Sequence, residues 1–283
     1  PEVEVTRKTL SKFVENKVIK NLTINNYNLR FKIPFNFKKY VVGQKIIKIL
    51  RRSKYILFFL QNNYVMISHL GMSGKFLIQN SRSKKILKTS FYYNDFFTKH
   101  NHLEFNFSKG LQMIYNDPRR FGFFILEKLN ELNSNKFLKK LGPEPLSNSL
   151  RKDYLIKKIK KTKRNIKTLL MDQKFISGIG NIYASEILYL AKINPNKISY
   201  KLSFTDVERL YLATKKILKR AILLGGSTIK DFYSSKGQKG KFQNEFRVYG
   251  RENLKCLRVG CDGSISRVVS QGRVSFFCKQ CQN

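Results

Sequence analysis

Along the chain, the spacing of apolar positions changes character twice. Residues 2–14, EVEVTRKTLSKFV, place apolar side chains at helical intervals and predict a short amphipathic helix. From about residue 17 to 125 the period becomes that of strands. KYILFFLQNNYVMISHLGMSGKFLIQ holds two apolar runs joined by Gln-Asn-Asn, a hairpin pattern, and HNHLEFNF and LQMIYND continue the alternation. This predicts a β-rich domain of about 125 residues, arranged as a sandwich. LGPEPLSNSL, residues 141–150, carries two prolines and reads as a linker. Beyond it the helical period returns. DYLIKKIKKTKRNIKTLLMD reads as one amphipathic helical region and NIYASEILYLAKI as another. A third runs from Thr205 to Gly225-Gly226, with Thr205 and Glu208 expected to form its capping box. YSSKGQKGKFQ, residues 233–243, is expected to be a mobile loop. No internal repeat is visible.

The expected fold class is therefore α+β and multidomain. An N-terminal β-sandwich with a terminal helix occupies residues 1–130, and a linker follows over 131–150. A helical domain spans 151–244, and a small cysteine-bearing hairpin domain spans 245–283.

Charge changes the picture most. Lys plus Arg number 56 against 18 Asp plus Glu, a formal net charge of +38 over 283 residues. Such an excess attracts polyanions, and nucleic acid is the expected partner. A chain rich in Asn, Ile and Lys also gains lysine from composition alone, but here the basic residues recur beside glycines and aromatics. No apolar run reaches the roughly 18 residues that span a bilayer, and no signal peptide is visible, so the expected location is the cytoplasm, at the nucleoid.

All four cysteines fall near the C-terminal end: Cys256, Cys261, Cys278 and Cys281. Two thiol pairs separated by 16 residues fit a tetrahedral zinc site on a hairpin. Four sulfurs leave no open position, so one structural Zn2+ is expected, supplying folding energy that so short a segment cannot bury for itself. Between the pairs, SRVVSQGRVSFF places Arg273 at a tight turn, where it either reaches a phosphate or stays solvated. SGIGNIYASEIL sets Gly178, Gly180 and Asn181 ahead of a helix, a backbone arrangement suited to phosphate, with Lys161, Lys163 and Lys167 expected on the preceding helix as a basic face toward the same turn.

The opening residues pose a separate question. Pro1 is either the first helical residue, where its missing N–H costs nothing, or a terminal secondary amine able to attack carbon and form an iminium.

Taken in order, PEVE, RRSKY, HLGMSG, KHNHLEF, YNDPRRFG, LGPEPL, LMDQKFISGIGNIYASEIL, GGSTIKDF and the cysteine segment span nearly the whole chain. In these motifs the chain resembles the formamidopyrimidine-DNA glycosylase family of bacterial DNA repair. The endonuclease VIII branch shares the layout, but YNDPRRFG and LGPEPL look like the formamidopyrimidine branch. The resemblance implies a helix–two-turns–helix DNA-binding domain, a zinc finger, and a monomeric enzyme acting on duplex DNA with no obligate protein partner. It implies a bifunctional glycosylase and abasic-site lyase for 8-oxoguanine and formamidopyrimidines, working on a base flipped out of the stack. In that scheme the amine of Pro1 attacks C1′, Glu2 is the acid–base partner at the ring oxygen, and Lys54 works near the lesion and its phosphates. Arg273 holds a phosphate. Met72, Arg119 and Phe121 fill the space left by the base, with Arg119 meeting the estranged cytosine. His100, Lys163, Lys167 and Asn181 contact phosphates. Each of these also has a structural reading: Met72 and Phe121 as core, His100 as a strand-end residue.

One departure stands out. The family pattern opens PELPEVE and this chain opens PEVEV. Either Pro1-Glu2 correspond to the first Pro-Glu, or PEVE matches the second and the amine lies upstream. Pro1 and Glu2 are taken as the pair. The alternatives in function are a non-catalytic damaged-DNA-binding relative and a lyase for oxidised pyrimidines.

Overall fold

The computed structural model describes residues 1–283 except 82, 84, 85, 90–97, 228–239 and 271. Of the expected mobile loop over 233–243, all but residues 240–243 lie outside the described residues. The chain divides into two compact units. The first comprises residues 1–139 and 225–240, the second 140–224 and 241–283.

In the first unit, helix α1 (Glu2–Val14) buries Thr6, Leu10 and Val14, one face at four-residue spacing. Glu2 and Glu4 stand in its first turn, where the helix dipole favours negative charge. Pro1 is the N-cap, one position earlier than the N1 place expected for it; its carbonyl accepts the Val5 N–H at 3.0 Å. There follow β1 (Asn21–Ile24), α2 (Phe37–Val41), β2 (Ile46–Arg52), β3 (Tyr55–Leu60), β4 (Tyr64–His69), β5 (Lys75–Asn80), β6 (Ile86–Thr89), β7 (Asn101–Asn106), β8 (Leu111–Asn116) and β9 (Phe123–Lys128). They form two antiparallel sheets, β1-β7-β8-β5-β6 and β2-β3-β4-β9. The Gln-Asn-Asn hairpin is present between β3 and β4, with Asn63 taking the left-handed conformation at φ 59°.

Aromatic rings join the sheets into the expected sandwich. Phe58 of β3 meets Phe76 of β5 at 6.1 Å between centroids, and Tyr115 of β8 meets Phe124 of β9 at 4.8 Å. All four are essentially inaccessible to solvent. Edge-on pairs of this kind add to the burial of large apolar area.

In the second unit, the expected single helical region over 153–172 is two helices, α3 (Lys152–Lys160) and α4 (Ile166–Leu170). The break has a local cause. Asn165 caps α4, its side chain accepting the Thr168 N–H at 2.8 Å, and it also bridges to Ile198. Helix α5 (Asn181–Leu190) is buried on all sides from Ile182 to Tyr189. Helix α6 (Phe204–Leu223) begins earlier than the spacing suggested. Its capping box is Ser203 with Asp206, not Thr205 with Glu208. Phe204 and its successors already keep helical geometry, so Thr205 lies inside the first turn; Glu208 pairs instead with Lys152 at 2.8 Å. The chain closes with β10 (Ile265–Ser270) and β11 (Arg273–Cys278), an antiparallel pair closed by Ser270 opposite Arg273. Glu186 anchors the segment leading to this pair. Its buried carboxylate accepts the N–H groups of Arg247, Val248 and Tyr249 at 3.0, 3.0 and 2.8 Å.

Candidate active site and nucleic-acid interface

At the head of α1 the Pro1 nitrogen lies 3.8 Å from Glu2 Oε2. Burial lowers the affinity of this amine for its proton, and the charges of Arg51 and Lys54 act in the same direction against the pull of Glu2. A secondary amine that gives up its proton readily is a better nucleophile. Glu2 is oriented from its other oxygen: Oε1 accepts the Ser227 N–H and hydroxyl, each at 3.0 Å. Gly226 lets the backbone come this close. Its φ is +80°, and a Cβ there would sit 3.1 Å from Glu2 Oε1. Sequence reasoning did not single out Ser227, although it lies in GGSTIKDF.

Lys54 lies in the tight turn between β2 and β3, after Ser53 at φ 56°. Arg51 braces that turn, donating to the Ser53 carbonyl at 2.9 Å and to Glu4 Oε2 at 2.8 Å. Burial would raise the Glu4 carboxyl, but bonds from Arg7 and Arg51 outweigh it and hold the group below the usual carboxylate range. His69, also missed by sequence reasoning although it opens HLGMSG, ends β4 and stacks on Phe123 at 5.4 Å. Burial, aided by the charges of Lys54 and Arg30, pushes its imidazole down to about 4. The neutral ring accepts the Gly71 N–H on Nδ1 at 3.0 Å, fixing the start of the loop that carries Met72.

Met72 is 62% exposed and Phe121 41% exposed, so neither is core. The Arg119 guanidinium lies over the Phe121 ring, 4.6 Å from its centroid. His100 ends a short 3-10 turn, Thr98–His100, half-buried; burial and then the neighbouring Lys99 lower its imidazole.

In the second unit, Gly178 has φ 86° and gives its N–H to Gln173 Oε1 at 2.7 Å, while the Gln173 amide donates to the carbonyls of Met171 and Ile179. Gln173 thus folds the turn before α5, a role invisible in the sequence. Asn181 opens α5, and its Oδ1 is buried without a hydrogen-bond partner among the described residues. Lys161 and Lys163 are exposed in the break between α3 and α4. Lys167 is placed differently. It is 4% exposed, and its ammonium donates to the Val274 carbonyl at 2.6 Å and the Ser275 hydroxyl at 2.9 Å, tying α4 to β11. Burial, then the charge of Arg273, brings it down to about 8. Arg273 itself is exposed at the hairpin turn, 3.6 Å from the Met171 sulfur.

The four cysteines come together as the spacing predicts. Their sulfurs all lie within 4.8 Å of one another, with Cys256–Cys281 at 3.8 Å and Cys261–Cys278 at 3.6 Å. A tetrahedron of sulfurs about 2.3 Å from a central zinc has edges of about 3.8 Å. Room for large sulfur atoms is kept by Gly263, where a Cβ would stand 2.9 Å from Cys278 Sγ. Four clustered thiols, three of them buried, suit a soft, closed metal site.

Comparison with known proteins matches residues 1–124 to the formamidopyrimidine-DNA glycosylase N-terminal domain and residues 141–233 to the formamidopyrimidine-DNA glycosylase H2TH domain. Over 282 residues the chain is 40% identical to a formamidopyrimidine-DNA glycosylase of Legionella pneumophila, covering 100% of this chain and 97% of that one.

The chain belongs to the formamidopyrimidine-DNA glycosylase family.

A family member from Roseobacter denitrificans is 38% identical, covering 100% of this chain and 98% of the relative. Among solved structures, a Lactococcus lactis Fpg in complex with abasic-site DNA matches with a TM-score of 0.86 at 34% identity, covering 100% and 98% of the two chains. Another complex of the Lactococcus lactis protein, with Fapy-dG-containing DNA, matches with a TM-score of 0.85 at 33% identity, covering 100% and 99%. The multidomain α+β layout of sandwich, helical domain and four-cysteine hairpin is thus the family's fold. No helix among the described residues is long and apolar enough to cross a membrane.

Proposed function

We propose that this protein is a bifunctional DNA glycosylase and abasic-site lyase that excises 8-oxoguanine and formamidopyrimidines opposite cytosine. The observation that carries the reading is the buried Pro1 amine, lowered by its surroundings and 3.8 Å from a carboxylate that Ser227 orients. The neutral amine attacks C1′ of the flipped nucleotide. The bond from C1′ to the base breaks, and the base leaves with the electron pair and gains a proton. Glu2 takes the proton of the attacking amine and passes it to the ring oxygen as the nitrogen lone pair opens the sugar and the nitrogen becomes an iminium. The iminium acidifies C2′. Loss of that proton expels the 3′ phosphate, and a second elimination expels the 5′ phosphate. Lys54 stands by the lesion phosphates, and Arg273 supports the second elimination. Met72, Arg119 and Phe121 fill the vacated stack, where apolar contact offsets lost stacking. His100, Lys163 and Asn181 contact phosphates, and Lys167 acts at the base of the finger.

Residues 1–130 would form the catalytic domain, 151–244 the helix–two-turns–helix domain and 245–283 the finger. Cys256, Cys261, Cys278 and Cys281 would hold one structural zinc. The partner is duplex DNA, met in the cytoplasm at the nucleoid.

Borohydride trapping on a duplex with one 8-oxoguanine opposite cytosine, followed by peptide mapping, tests this. A cross-link at Pro1 supports the assignment. A cross-link at a residue preceding Pro1 moves the nucleophile and keeps the chemistry. A bound duplex without a cross-link makes the protein a non-catalytic relative, and trapping only on oxidised pyrimidines makes it a lyase of the other branch.

A further inference from the structure

Two loops of the first unit carry the three residues proposed to enter the duplex, and one buried carboxylate holds both loops. Asp117, immediately after β8, has no solvent exposure. Its Oδ1 accepts the Ser73 hydroxyl, in the loop of Met72. Its Oδ2 accepts the Gly122 N–H at 2.8 Å and the Tyr115 hydroxyl at 3.2 Å. Ser73 Oγ in turn accepts the Arg119 N–H at 3.2 Å, so Ser73 and Asp117 lace the two loops in both directions. The backbone of Asp117 is fixed as well. Its N–H goes to the His100 carbonyl at 3.1 Å, and its carbonyl accepts from Arg120 at 3.2 Å and meets His102 Nε2 at 2.8 Å.

Packing between the loops is equally close. A Cβ on Gly71 would stand 2.5 Å from the Phe121 carbonyl carbon, and Cβ atoms on Gly74 and Gly122 would stand 2.3 and 1.8 Å from the Tyr115 hydroxyl. The loops meet backbone to backbone, with the Tyr115 hydroxyl lodged between two glycines. Met72, Arg119 and Phe121 are themselves exposed, with Arg119 resting on the Phe121 ring. Their arrangement therefore depends on the backbone beneath. A buried carboxylate is costly unless its acceptors are filled; here three donors fill it, so the arrangement is held firmly once formed.

We propose that Asp117 is a positioning residue which, through Ser73 and Tyr115, locks the 70–74 and 117–122 loops into one rigid wedge, so that Met72, Arg119 and Phe121 enter the duplex together. This rests on the reading of those three residues as the wedge.

The test compares Ser73→Ala, Tyr115→Phe and Asp117→Asn with Met72→Ala and Phe121→Ala. Thermal unfolding, affinity for a tetrahydrofuran abasic duplex against an undamaged one, and fluorescence of a 2-aminopurine beside the lesion are read for each. Ser73→Ala is expected to lower the lesion-to-undamaged preference about tenfold and to quench the unstacking signal, because small misplacements of inserted groups are costly. Combined with Phe121→Ala, it should add little, since both act on one unit. If Met72→Ala and Phe121→Ala lose the preference while folded Ser73→Ala, Tyr115→Phe and Asp117→Asn all keep it, Asp117 is not a positioning residue. If Met72→Ala and Phe121→Ala keep the preference, the wedge reading itself fails and this inference with it. Should Asp117→Asn not fold, the Ser73 and Tyr115 variants, which remove two bonds and one bond respectively and keep the carboxylate, decide the matter.

Discussion

Arg119 rests its guanidinium on the face of Phe121, 4.6 Å from the ring centroid, and both side chains face solvent. The ring is a platform that sets the height of the guanidinium. Phe121→Ala is therefore expected to cost excision about as much as Arg119→Ala, on the order of 10- to 100-fold, as loss of a 1–3 kcal/mol base contact would. Single-turnover excision opposite each of the four bases checks this. Arg119→Ala should flatten the preference for cytosine, and neither variant should shift the unfolding temperature by more than about 1 °C, as befits exposed sites.

Two lysines of one basic segment should behave differently. Lys163 is exposed and Lys167 is spent on Val274 and Ser275. Lys163→Ala should reduce the slope of log affinity against log salt by about one, the signature of a lost phosphate contact. Lys167→Met should leave the slope nearly intact and lower stability. Its pH response has a definite sign. The folded ammonium titrates at about 8 against 10.5 unfolded. Between those values the unfolded chain holds more protons, so the contribution of Lys167 to stability becomes more favourable as pH rises from 8 toward 10.5. Urea midpoints across that range should lose this component in Lys167→Met.

His69 sets an acid limit. Its folded imidazole titrates at about 4 against 6.5 unfolded. The neutral form is the one that accepts from Gly71, so its contribution is complete above 6.5 and is lost as pH falls toward 4, on the order of 3 kcal/mol in all. Denaturant midpoints from pH 7 to 4 should fall less steeply in His69→Gln, whose side chain does not titrate.

Metal removal gives a fourth outcome. Displacing the ligand thiols with a mercurial should release one zinc per chain, measured with a chromogenic chelator, and the hairpin should lose its fold. DNA affinity should collapse, while the proton affinity of the Pro1 amine, followed by selective N-terminal acylation, should stay as it was. Activity that survives complete zinc release would refute the structural role.

Much of this was legible in the sequence because it is local. The period-2 runs gave the sandwich strands, and the cysteine spacing gave a cluster whose sulfurs sit 3.6–3.8 Å apart in pairs. What escaped was settled by partners far along the chain. Nothing near Lys167 foretells that Val274, 107 residues later, takes its ammonium. Asp117 and Ser73 stood in quoted motifs, but their bond spans 44 residues. The break at residues 161–165 was hidden because lysines and threonine do not punctuate a helix as glycine or proline does; the cap at Asn165 ended the period instead. The box at α6 was misplaced by two residues because Thr205 and Glu208 fit the same spacing rule as Ser203 and Asp206.

The first unit is not continuous in the chain: it is left after residue 139 and completed only by residues 225–240. Glu2 meets Ser227 across 225 positions. On a ribosome adding about 5–20 residues per second, the carboxylate at the head of α1 waits roughly 10–45 s for the group that orients it. A nascent chain stalled before Gly225 already holds every described strand of the two sheets but lacks the group that orients Glu2. The Glu2–Ser227 contact can therefore form only after most of the chain has been made.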